Sequence, residues 1–235
     1  MTTTTTRRTR LAPAAALAAL AILGSGVSAC GSASSEDTGA TVVSAADHTS
    51  EAGKQTSSEV ALRTAMRQLW AQHMEWTYAT VAAFAAGTDG LDATLDRLLK
   101  NQADIGDAVR PFYGDGAADQ LTTLLKAHIN GAVPILVAAK AGNTGDLQTA
   151  VTAWYANAKE IADFLAAANP AWGQADMETM MKEHIDQTLA YATDQLQGHY
   201  AKSIDDYGIA EQHMADMADM LTDGLVAQFP AKFRH

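Results

Sequence analysis

Residues 62–84 read LRTAMRQLWAQHMEWTYATVAAF. Leu62, Met66, Leu69, Trp70, His73, Thr77, Val81 and Phe84 recur at steps of three and four, which puts them on one stripe of an α-helix. Ser58 offers a cap before this stretch and Gly87 a stop after it. Outward from there, Glu59 to His235 is dominated by Ala, Leu, Met and Gln, is poor in proline, and lacks alternating runs of β-branched residues. The expectation is an all-α domain. Five further helices are expected at about Leu91 to Arg110, Gly116 to Lys140, Asp146 to Ala168, Ala175 to Leu196 and Tyr207 to Gln228. The short connections imply antiparallel hairpins, and Pro134 should kink the third helix or leave a bulge in it.

The opening stretch has two relatives further along the chain. Leu69-Trp70-Ala71-Gln72-His73 aligns with Leu124-Leu125-Lys126-Ala127-His128 and with Met180-Met181-Lys182-Glu183-His184, so the histidines stand 55 and 56 residues apart. In the helix that follows each, Asn101-x-x-Asp104, Asn157-x-x-Glu160 and His213-x-x-Asp216 recur at intervals of 56. Each unit then ends in a proline among aromatics: Pro111-Phe112-Tyr113, Pro170-Ala171-Trp172, and Phe229-Pro230 before Phe233. These matches predict a six-helix bundle built from three tandem hairpins, covering about 59–113, 114–172 and 173–235.

Each aligned histidine falls on the inward stripe of its helix. Each Asn/His and Asp/Glu pair, three residues apart, projects from one side of the facing helix. Buried imidazoles and carboxylates need partners, because an unsatisfied one costs on the order of 1–3 kcal/mol. Two readings meet that need. In one, His73, His128, His184, Asp104, Glu160, His213 and Asp216 are ligands of one or two metal ions, and imidazole plus carboxylate suits Zn, Cu, Fe or Mn. In the other, the same residues are polar clasps that fix how helices pair, and the protein is a scaffold or partner-binding module. A metal-dependent oxidoreductase is a third possibility. Met177, Met180, Met181, Met214, Met217 and Met220 crowd the third hairpin; they read either as thioether ligands for Cu(I) beside His184 and His213 or as adaptable core filler.

Several chemistries are excluded by pattern. Di-iron carboxylate bundles need Glu-x-x-His on two helices, and no such spacing occurs. No His-Glu-x-x-His, P-loop, Gly-x-Gly-x-x-Gly or Gly-x-Ser-x-Gly pattern is present either.

The N-terminus carries the remaining signal. Arg7, Arg8 and Arg10 precede an apolar stretch from Leu11 to Leu23 and then small residues, the layout of a secretory signal too short to span a membrane as a helix. Val27-Ser28-Ala29-Cys30 looks like the lipobox of bacterial lipoproteins. That resemblance implies that residues 1–29 are removed and that the thiol of Cys30 receives a diacylglyceryl group. The protein would then be lipid-anchored to the cell membrane on its extracytoplasmic face. Residues 30–58, rich in Ser, Thr, Ala, Gly and acids, read as a disordered polar tether. Cys30 is the only cysteine, so no disulfide can brace the domain. The chain has 16 basic and 27 acidic residues; losing three arginines leaves 13 against 27, a net charge near −14. Such a surface repels nucleic acid and favours cations. The expected partners are the membrane through its lipid, a metal ion, and another envelope protein.

Overall fold

A computed structural model of the chain describes residues 55–234. The expected signal segment, Cys30 and the expected tether up to residue 54 lie outside the described residues. The described part is all-helical: α1 (Ser57–Ala86), α2 (Leu91–Ala141), α3 (Thr144–Ala168), α4 (Gln174–Gln197), α5 (Tyr200–Gln228) and a closing 3-10 turn at Pro230–Phe233.

The cap of α1 is Thr56, two residues before the expected Ser58. Thr56 takes the N–H of Glu59, and the Glu59 carboxylate takes the N–H of Thr56. This reciprocal box needs a glutamate three residues after the cap, which Thr56 has and Ser58, followed by Ala61, lacks. Gly87 ends α1 with φ 65°, a left-handed conformation that a side chain disfavours. Asn143 caps α3, and α4 ends on Gly198 in the same left-handed form.

The second and third expected helices are one element, α2, interrupted by a single non-helical residue, Gly114, at φ 80° and ψ 178°. Its limbs fold back on each other. A Cβ on Gly106 would lie 2.9 Å from the carbonyl oxygen of Ala118, a residue that a straight helix would carry about 18 Å away. Arg110 crosses the bend, pairing with Asp107 on its own limb and with Asp115 and Asp119 beyond it. By length and composition alone α2 is long and apolar enough to cross a membrane, yet both limbs contribute buried residues to the core. Pro134 lies inside the second limb and stays within helical dihedrals.

α5 begins seven residues before the expected Tyr207. Tertiary contacts hold the extra turns: the Ser203 hydroxyl donates to the Tyr191 carbonyl at 2.9 Å, and Lys202 pairs with Asp194 at 2.8 Å. Around the bundle, α1 packs on α2, α2 on α3, α3 on α4, α4 on α5, and α5 back on α1. Arg67 joins the first helix to the last through Asp219, at 2.7 Å from Nε, while Arg63 reaches Asp219 and Asp223. The closed ring gives the molecule an interior axis, and that axis positions the site.

Candidate functional site

His73 on α1, His128 on the second limb of α2 and His184 on α4 are only 3%, 3% and 4% exposed. Their rings meet on the axis, with centroids 5.5 Å apart for His73 and His184 and 5.8 Å apart for His128 and His184. The ring of helices brings the histidines together.

The acidic half of the expected site is not with them. Glu160 and Asp216 are exposed, and Asp216 accepts from Gln212 at 2.9 Å. Asp104 is half-buried and pairs outward with Arg97 at 3.6 Å. A carboxylate at the edge of an apolar face moves to water unless a cation comes in with it, because desolvating an unpaired charge is expensive. Among the described residues, no group of three or more His, Cys, Asp or Glu side chains is arranged as a ready-made metal site.

The residue three positions before each carboxylate does turn inward, and it does the same thing three times. Asn101 donates to the carbonyl of Leu69 at 3.0 Å, Asn157 to that of Leu124 at 3.4 Å, and His213 to that of Met180 at 3.1 Å. Each acceptor lies four residues before an aligned histidine. Asn157 also receives a hydrogen bond from Nδ1 of His128 at 2.9 Å, which leaves the His128 Nε2 lone pair free. Gln102 has no counterpart in the repeat, where Ala158 and Met214 take its place. Its amide donates to the Leu98 carbonyl at 3.0 Å and approaches Nδ1 of His73 at 3.2 Å. Nothing in the spacing could have revealed it.

Burial keeps all three imidazoles neutral. It pushes His73 down to about 3, helped by the neighbouring His128 and opposed by the Gln102 hydrogen bond. His128 falls to about 4 through burial, against the stabilising bond to Asn157. His184 is driven well below the ordinary range by burial and then by His73, His128 and His213. Deprotonated nitrogen in a protected interior is the form that ligates metals.

Beside the histidines lies a cavity of about 30 Å³. Its wall repeats like the sequence: Ile105, Ile161 and Met217 form one layer and Val109, Leu165 and Leu221 another, each at steps of 56 residues. Four buried nitrogens among the lining residues have no hydrogen-bond partner: Nε2 of His128, Nδ1 of His184, and Nε1 of Trp70 and Trp172. Buried polar groups are nearly always paired, so these four nitrogens stand out among the residues around the void.

No protein-family model, no curated protein and no solved structure matches this chain.

Proposed function

We propose that the protein is a lipid-anchored envelope protein that binds a metal ion in the core of its helical domain through His73, His128 and His184. The convergence of three neutral imidazoles, two of them carrying unpartnered nitrogens, is the observation that supports this reading. Two imidazoles bound to one ion at ~2.1 Å have ring centres roughly 5 Å apart. The separations of 5.5 and 5.8 Å are close to that spacing. The ligand set is narrower than the sequence suggested, with Asp104, Glu160, His213 and Asp216 left out.

The domain is three hairpins closed around one axis, with Gly114 as the turn between the second and third of six helices. The equivalent bonds to Leu69, Leu124 and Met180 support this, as does the fold-back at Gly106. The anchor is the lipid on Cys30.

Elemental analysis of detergent-solubilised full chain, followed by melting with and without Zn, Cu, Fe or Mn, tests the metal reading. A ligand that binds only the folded state at a hundred times its Kd raises stability by about 2.7 kcal/mol. No bound metal and no change in melting with any of the four removes it. The anchor is tested separately: Cys30→Ala should release the protein from membranes.

A second reading draws on the repeated donation to backbone carbonyls, which fits polar clasps that fix helix pairing. In that case replacing His73 and His128 together lowers stability without altering metal content, and the exposed surface engages an envelope partner.

A further inference from the structure

Four methionines, Met66, Met181, Met214 and Met217, line the same cavity as His128 and His184, and all four are buried. They come from three helices, α1, α4 and α5, so their meeting is a product of the closed ring rather than of one helical stripe. Trp70 and Trp172 also reach the void, but an indole N–H can only donate and supplies no ligand atom. No carboxylate or thiolate lines it. The available donors are therefore neutral nitrogen and neutral sulfur.

That donor set discriminates between metals. A divalent ion entering this cavity would bring two charges into an apolar interior with no anion to offset them, and the penalty for burying charge rises with the square of the charge. A monovalent ion faces about a quarter of that penalty on the same Born argument. Thioethers are soft ligands that prefer Cu(I) over Zn, Fe or Mn, and imidazole binds Cu(I) as well. The cavity of about 30 Å³ has room for a bare ion or one or two waters.

We infer that the cavity is a soft, monovalent metal site built for Cu(I), with nitrogen from His128 and His184 and sulfur from the methionines that surround them. The inference rests on the metal reading above and narrows it to one ion held by two of its three histidines, since His73 does not line the cavity. Cu(I) would engage two of the four unpartnered nitrogens, those of His128 and His184; the indole N–H groups of Trp70 and Trp172 only donate and take no part in it.

The test uses full chain carrying Cys30→Ser, so that thioethers are the only sulfur present, titrated without oxygen against Cu(I) in competition with a coloured Cu(I) chelator. Ag(I) serves as a redox-inert mimic, and Zn(II) is titrated in parallel. One Cu(I) per chain is expected, with an X-ray absorption spectrum that requires both a nitrogen and a sulfur shell. The double variant Met181→Leu with Met214→Leu should weaken Cu(I) at least tenfold while keeping its helical circular dichroism. If that variant does not fold, the sulfur shell of the parent chain decides. Tight Zn(II) with no Cu(I), or Cu(I) bound by nitrogen and oxygen alone, would overturn the inference and leave metal binding standing. No metal of any kind would leave water in the void and end both.

Discussion

Asn169 and His184 are both buried polar side chains in one bundle, and their surroundings treat them in opposite ways. Asn169 has no exposed surface, and its groups are served: its amide donates to the Tyr113 hydroxyl at 3.1 Å, and its oxygen accepts the Ala171 N–H at 2.9 Å. Tyr113 in turn donates to Gln228 at 2.6 Å, and Gln228 reaches the Ala168 carbonyl at 3.1 Å. Around them Phe112, Phe229 and Phe233 pack ring on ring, so the ends of all three sequence repeats gather at one end of the bundle. At the histidines the arrangement is different. Nδ1 of His184 and Nε2 of His128 meet no partner, although the chain has ample donors and acceptors. A closed network stabilises a fold, whereas an open one gives up stability for a task.

The two regions should respond differently to acid, and this is the largest effect expected. The folded state holds three histidines neutral below their ordinary value of about 6.5, so below that pH the unfolded chain takes up protons that the folded chain refuses. Stability is therefore intact above pH ~6.5 and falls as pH drops toward the folded values of about 4 for His128 and about 3 for His73. A histidine held neutral contributes about 1.4 kcal/mol per pH unit, so by pH 5 His73 and His128 together remove up to about 4 kcal/mol, a large part of the stability of a small domain, and His184 acts in the same direction. Melting curves between pH 7.5 and 4.5 measure this, and a flat profile from 7 to 5 would mean that the imidazoles are not buried together.

Closure of the ring itself can be broken at Gly224, where an added Cβ would come within 1.9 Å of Nε1 of Trp172. Gly224→Ala should lose about 3 kcal/mol by overpacking, read from urea midpoints; an unchanged midpoint would show that Trp172 is free to move. Asn169→Ala should lose about 2 kcal/mol by leaving Tyr113 and the Ala171 N–H unserved, with metal content unaltered. His184→Leu is the sharpening counterpart. It removes an unpartnered buried nitrogen and should stay within about 1 kcal/mol of the parent protein, or exceed it, while abolishing metal binding. A loss of several kcal/mol there would make His184 a structural residue. Smallest of all, Asp219→Asn removes Arg67's tie between α1 and α5 while Arg63 keeps its pair with Asp223, and it should lower the urea midpoint least of these substitutions, less still at high salt.

Helix spacing from Leu62 to Phe84, the left-handed stop at Gly87 and the inward set of each stripe were all legible, because a helix is a local object and its periodicity is printed in the chain. The places that misled were ones where distant parts intervene. α5 runs back to Tyr200 because Ser203 and Lys202 find partners on α4, and no local rule could see them. Gln102 escaped notice for the same reason, since its partner His73 lies 29 positions away. The acidic residues were placed on the correct helix but on the wrong side of the boundary, because whether an edge carboxylate turns in or out depends on the cations it meets.

The sequence by itself determined that the domain is helical, that three histidines face inward at intervals of 55 and 56 residues, and that polar residues on the following helices face them. Only the tertiary structure decided that the helices close into a ring, that the histidines share one centre with methionines and without carboxylates, and that four nitrogens there go unanswered. The physical reason is range. Helix formation and burial of a stripe are settled within a few residues of chain, whereas the company a buried group keeps depends on contacts between segments far apart in sequence, and that is where the chemistry of this site resides.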